Sequence, residues 1–256
     1  MTEHSSFHYK RTEVENGPSF VWLHGWGQDL SSLNRLAQLY QSKGNNTLFD
    51  LPGFGKSALP PRGAGTADYA DMLAENLKTL NLPGPHIFIG HSFGGRIAVQ
   101  MAARHPEMTQ SIILIAGAGL KRKRSIAFKL RSIWLKSLGK LAGASDNMFK
   151  TTYREAYRKR FGSADYKAAG DLRPTFVKVV NEDLVAEAQA TACPSLLIYA
   201  SEDNEAPPEI GLKYTSLMTN AQYHQLKGYG HLDILDRGAY QCQALIDAFI
   251  QEQVFK

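Results

Sequence analysis

Along the chain, short runs of consecutive apolar residues alternate with longer stretches in which apolar positions recur every three or four residues. The short runs predict strands at 20–24, 47–50, 86–90, 111–116, 195–200 and 222–226. They are rich in Leu, Ile, Val and Phe, as suits strands covered on both faces. Residues 7–13 predict a further, antiparallel strand at the start of the chain. The longer stretches predict helices at 31–43, 67–80, 94–104, 208–218 and 239–253; Met72, Leu73, Leu77 and Leu80 carry the spacing in the second. Pro83 and Pro106 fall where the second and third helices should already have stopped. Regular βα alternation of this kind implies an α/β fold: a mostly parallel sheet flanked by helices. It breaks between Gly117 and Ala192, a stretch without a convincing strand and largely helical in pattern. That break predicts a helical lid at 118–192, inserted into a core formed by 1–117 and 193–256.

Composition narrows the class. With 256 residues, 43% of them hydrophobic, the chain can bury a substantial core. No apolar run approaches the roughly 18 residues of a membrane span. The polar start, Met1 to Lys10, lacks a signal-peptide pattern, and the two cysteines, Cys193 and Cys242, are expected to be reduced and packed. A cytoplasmic protein is the expectation. The net charge of +5 hides an asymmetry: residues 121–180 hold 16 Lys/Arg against 4 Asp/Glu. That segment is locally +12, and the remainder, with 13 basic and 20 acidic residues, is net −7.

The chemistry begins at Gly90-His91-Ser92-Phe93-Gly94, a Gly-x-Ser-x-Gly pattern between a predicted strand and a predicted helix. A serine at such a turn is pushed outward on strained backbone, with a helix N-terminus behind it that favours developing negative charge. Its hydroxyl needs a base. His231, in Gly228-Tyr229-Gly230-His231 after the last strand, is the histidine best placed to supply one. His4 and His8 fall in a terminal stretch expected to fray, His86 and His224 lie within strands, and His105 reads as a helix cap. An acid should orient the base from the loop after 195–200, where Ser201-Glu202-Asp203-Asn204-Glu205-Ala206-Pro207 offers three. Asp203, four residues before a proline that opens a helix, is preferred, with Glu202 and Glu205 left as alternatives. No acid ends the strand at 111–116. Backbone amides of Phe93 and of Trp26, in His24-Gly25-Trp26-Gly27, are the expected oxyanion donors, and His24 is expected to brace that loop. Asp50-Leu51-Pro52-Gly53-Phe54-Gly55-Lys56-Ser57 lacks the glycine spacing of a phosphate loop and reads as a structural turn.

In order and spacing these motifs resemble the α/β-hydrolase superfamily across nearly the whole chain. The resemblance implies the α/β-hydrolase fold with a lid, a Ser92–Asp203–His231 triad, and hydrolysis of an ester or thioester with no cofactor and no metal. Serine at position 92 departs from haloalkane dehalogenases and epoxide hydrolases, which use aspartate there. The Trp26 loop and the Asp50 to Ser57 segment look most like pimeloyl-acyl-carrier-protein methyl ester esterases of biotin synthesis. That family's basic lid docks an acidic acyl carrier protein, which fits the charge excess. Ser92-Phe93-Gly94-Gly95-Arg96 also resembles menaquinone-pathway lyases of the same fold.

Within the lid, Ile126, Leu130, Ile133, Trp134, Leu138 and Leu141 share one helical face, with Lys129, Arg131, Lys136 and Lys140 elsewhere around the turn. Such a helix can roof a pocket, bind an anionic partner such as acyl carrier protein, or rest on an anionic membrane surface. Nothing in the chemistry calls for nucleic acid. A small-ester carboxylesterase, a lyase using the same triad, and a ligand-binding protein with a little-used triad stand as alternatives.

Overall fold

The apolar runs become a seven-stranded sheet in the computed structural model, which describes residues 7–82, 84–121 and 164–253. In chain order, β1 (Tyr9–Thr12) and β2 (Ser19–Leu23) precede α1 (Asn34–Gln38), β3 (Asn45–Phe49) and α2 (Thr66–Thr79). Then come β4 (His86–His91), α3 (Phe93–Arg104) and β5 (Thr109–Ile115). The second half comprises α4 (Ala164–Ala168), α5 (Arg173–Asn181), α6 (Val185–Ala190) and β6 (Ser195–Ala200). It ends with α7 (Pro208–Leu217), β7 (Ala221–Leu226), α8 (Asp233–Asp236) and α9 (Ala239–Gln253). Of the expected lid, 122–163 lies outside the described residues, and with it most of the basic segment and the whole proposed amphipathic face.

The strand order is β1-β3-β2-β4-β5-β6-β7; β1 runs antiparallel to β3, and every other pairing is parallel. Side chains alternate between two cores because successive residues of a strand face opposite ways. Val21, Leu23, Phe88, Ile112 and Leu197 join α2, α3 and α7 on one face. Phe20, Trp22, Ile89, Ile113 and Ile198 join α1 and α9 on the other. Parallel strands present all their carboxyl ends at one edge. The chain leaves β2 for β3 on one side and reaches β4 on the other, the kind of switch point where open α/β sheets bind ligands.

Two local expectations change and one holds. The helix expected at 31–43 is a 3-10 turn, Leu30–Leu33, followed by the short α1. Asp29 caps the turn through the Ser31 amide at 2.8 Å. Beyond α1 the Asn46 side-chain amide donates to the carbonyls of Tyr40 and Gly44, both at 2.8 Å, and holds the turn that follows the helix. His105 is the C-cap of α3, as expected, its N–H donating to the Met101 carbonyl at 2.8 Å, and its ring Nε2 also bonds Asp71 Oδ1 on α2 at 2.8 Å, beside Arg104 on the same carboxylate. His8 is anchored instead of frayed. Its Nδ1–H donates to Asp50 Oδ2 at 2.7 Å, and that carboxylate also accepts the Leu30 and Lys56 amides. Asp50 thereby locks the Asp50 to Ser57 turn onto the sheet, a structural use of the segment. Cys193 is half-buried, Cys242 buried, and neither is disulfide-bonded. Among the described residues no helix is long and apolar enough to cross a membrane.

Candidate active site

Only one residue, Ser92, separates the end of β4 from the start of α3. Making the reversal in a single residue forces φ +49° and ψ −105°, a conformation that costs a non-glycine residue about 1–3 kcal/mol. Backbone hydrogen bonds hold it. Ser92 N–H donates to the Ile115 carbonyl at 3.2 Å, and its own carbonyl accepts from Gly95 and Ala118, each at 3.1 Å. The helix behind it lies hard against β2: Gly94 N–H donates to the His24 carbonyl at 3.0 Å. A Cβ at position 94 would stand 2.0 Å from the Leu23 carbonyl oxygen, so the close approach requires glycine there.

That contact brings the loop after β2 alongside Ser92. His24 is buried, and its two ring nitrogens brace the loop: Leu51 N–H donates to Nε2 at 2.9 Å, so Nδ1 carries the proton given to the Gly25 carbonyl at 2.7 Å. Burial pushes its pKa down and keeps the ring neutral, against the pull of the Gly25 carbonyl, Asp50 and Asp29. Gln28 closes the turn, its amide donating to the Gly25 carbonyl and its Oε1 accepting from Gly25 N–H. The half-buried Trp26 ring packs on Phe54, Phe93 and Phe176 at centroid distances of 5.0, 5.2 and 5.1 Å. Phe93 is the first residue of α3, a position whose N–H has no acceptor within its own helix.

On the other side of Ser92, the loops after β6 and β7 meet. His231 Nδ1–H donates to Asp203 Oδ2 at 2.7 Å. Asp203 Oδ1 accepts the amides of Glu205 and Ala206 at 2.7 and 2.9 Å. Burial alone would raise the Asp203 pKa; the His231 ring and the two amides outweigh it and hold the carboxyl below its usual range. Glu205 occupies a different place: its exposed carboxylate lies 3.5 Å from the opposite ring nitrogen, Nε2. The Glu202 backbone amide binds the Tyr229 carbonyl at 3.0 Å and so ties the two loops together. Ser92 Oγ and the His231 ring are not hydrogen-bonded to each other.

What links the two sides is His91, a residue that carries no sequence signal beyond its place at the variable position of the serine motif. Its Nε2 lies 3.0 Å from the His231 carbonyl, and the two rings are 4.8 Å apart. Among the described residues no three His, Cys, Asp or Glu side chains gather into a metal-binding group.

Comparison with known proteins agrees with this architecture. Residues 20–241 match the alpha/beta hydrolase family, and the chain belongs to it. It is a hydrolase. It is 28% identical over 244 residues to the pimeloyl-[acyl-carrier protein] methyl ester esterase of Chromobacterium violaceum, covering 86% of this chain and 89% of that one. Identity to the protein of the same name from Salmonella newport is 26% over 257 residues, covering 92% and 95%. Among solved structures, the enol-lactonase from Burkholderia xenovorans superposes with a TM-score of 0.72 at 21% identity, covering 97% of this chain and 98% of that one. A thermophilic esterase from Thermogutta terrifontis gives 0.69 at 20% identity, covering 97% and 94%. These two likenesses are of fold.

Proposed function

We propose that the chain is a serine esterase that cleaves a carboxylic ester through an acyl-enzyme, with the methyl ester of a carrier-bound acyl chain as substrate. The observation that carries the chemistry is the Asp203–His231 hydrogen bond at the sheet edge beside the strained Ser92. In this reading His231 Nε2 takes the proton from Ser92 Oγ as the oxygen attacks the ester carbonyl. Asp203, ionised at neutral pH, stabilises the imidazolium and fixes its tautomer. The amides of Phe93 and Trp26, at the positive end of α3, receive the oxyanion. The tetrahedral intermediate collapses, His231 returns the proton to the leaving alcohol, and water then repeats the sequence on the acyl-enzyme.

The carrier-bound substrate rests on the names of the relatives, which span most of the chain, and on the +12 charge of residues 121–180. A segment of that charge would draw in an acidic carrier protein at a rate that salt suppresses. The first test of the chemistry is a fluorophosphonate probe on wild type and Ser92→Ala. Labelling and turnover should both vanish in the folded variant, and wild-type turnover by Ser92→Ala would remove Ser92 from the reaction. The substrate is tested with an acyl-carrier-protein methyl ester against the same free acyl methyl ester, at low and high salt. A salt-sensitive preference for the carrier-bound form is expected. Equal, salt-insensitive rates would leave a small-ester carboxylesterase.

A further inference from the structure

His91 is one of the most thoroughly buried polar residues of the protein, and the reaction outlined above makes no use of it. Its surroundings are specific. Nε2 is 3.0 Å from the His231 carbonyl oxygen. A carbonyl only accepts, so Nε2 must carry the ring proton. Nδ1 is then a lone pair, and it is buried with no hydrogen-bond partner. On that side the ring abuts Gly25, where a Cβ would come within 2.9 Å of Nδ1. On the other side its plane tilts 44° to the His231 ring. The His91 ring is therefore a wedge between the turn bearing Trp26 and the loop bearing His231, and it belongs to the residue that precedes Ser92.

We propose that His91 is a positioning residue: by donating its Nε2–H to the His231 carbonyl it ties the backbone of the base to the chain that carries the nucleophile. This rests on the reading of Ser92 and His231 given above. Asp203 restrains the His231 ring at Nδ1, and Glu202 and Ser201 hold the loop at Tyr229 and Gly228, but none of these bonds reaches the His231 peptide. The His91 bond fixes that peptide directly. Ser92 and His231 then keep their spacing through one side chain and one hydrogen bond, without relying on the packing of β4 against β7, which are not neighbours in the sheet. Burial favours the neutral ring, pushing its pKa down to about 3, so it adds no positive charge beside the imidazolium that forms on His231. A misplacement of about an ångström between reacting groups is enough to cost about a hundredfold in rate.

The experiment compares His91→Phe, which keeps a ring but has no N–H, with His91→Gln, which keeps an N–H donor without the ring. Turnover of a p-nitrophenyl acyl ester, the rate of fluorophosphonate labelling and thermal unfolding are measured for each. His91→Phe should lose about tenfold or more in kcat, and equally in labelling rate, with KM within about twofold. His91→Gln should recover to within about threefold of wild type. A folded His91→Phe with wild-type kcat and labelling overturns the proposal, as does an equal loss in both variants. Should the Phe variant fail to fold, His91→Asn replaces it, its amide too short to reach the carbonyl, and full activity there overturns the proposal. A wild-type chain that takes no label sinks the serine-hydrolase reading and this one with it. A labelled wild type with an equally labelled His91→Phe sinks this one alone.

Discussion

Lowering the pH from 7 to 5 should destabilise this protein steeply, because three buried histidines are neutral in the fold and basic outside it. His24 cannot take a second proton without losing the Leu51 N–H donated to its Nε2. His86 holds Ser19 Oγ at 2.8 Å through Nδ1, its Nε2 is buried without a partner, and burial brings its pKa to about 4. His91, its Nδ1 equally without a partner, is lowered to about 3. In the unfolded chain each titrates near 6.5. Below that value the unfolded state binds protons that the folded state refuses, so stability falls as pH falls, until each folded pKa is reached. At pH 5 the solution is about 1.5 units below the unfolded pKa, worth about 2 kcal/mol each for His86 and His91, or about 4 kcal/mol for the two, with His24 acting in the same direction. Total stabilities of proteins are about 5–15 kcal/mol, so the effect is a large fraction of the whole. Asp203 stays out of this window. Its lowered pKa means its contribution is present above the unfolded carboxyl value and is lost only as pH falls through the folded one. Urea unfolding at pH 8, 7, 6 and 5 should give a plateau above pH 7 and a slope of at least about 2 kcal/mol per unit between 6 and 5. His91→Gln should remove about 2 kcal/mol of the difference between pH 7 and pH 5. Stability unchanged from pH 7 to 5 would refute the reasoning, since it would mean that the folded protein accepts these protons freely.

Two further outcomes test the site. Asp203→Asn should fold, because Oδ1 still accepts two amides, but should lose on the order of 10³–10⁴ in kcat, the scale known for the equivalent change in serine proteases. A loss below about tenfold in esterase assays would show that Glu205 or Glu202 serves in its place. Gly94→Ala should cost about 3 kcal/mol or more in urea unfolding, because the new methyl meets the backbone of β2 rather than a side chain that can turn away. A variant as stable as wild type would show that α3 can lift off β2.

Much of this molecule was legible in its sequence, and the reasons are local. Six parallel strands and their order along the chain follow from apolar runs that must be buried on both faces, and β6 runs over the predicted 195–200. The Ser92 turn is equally local, because a strand, one residue and a helix leave the backbone little choice. The sequence also narrowed the partner of His231 to three acids within four residues. Spacing to Pro207 preferred Asp203 among them, and the folded loops show the geometry behind that preference. Asp203 and Glu205 are two positions apart, yet one meets Nδ1 from a buried loop interior and the other approaches Nε2 from solvent. The turn after α1 was likewise held from outside, by an asparagine on β3 that donates to the Tyr40 carbonyl. So was the anchoring of His8, which needs Asp50 from 42 residues away. His91 is the plainest case. Its type and position are read at once, but its meaning depends on the carbonyl of a residue 140 positions later. Periodicity and motif spacing record what neighbours in the chain do to one another; which buried donor meets which acceptor is settled only when distant loops converge at one sheet edge.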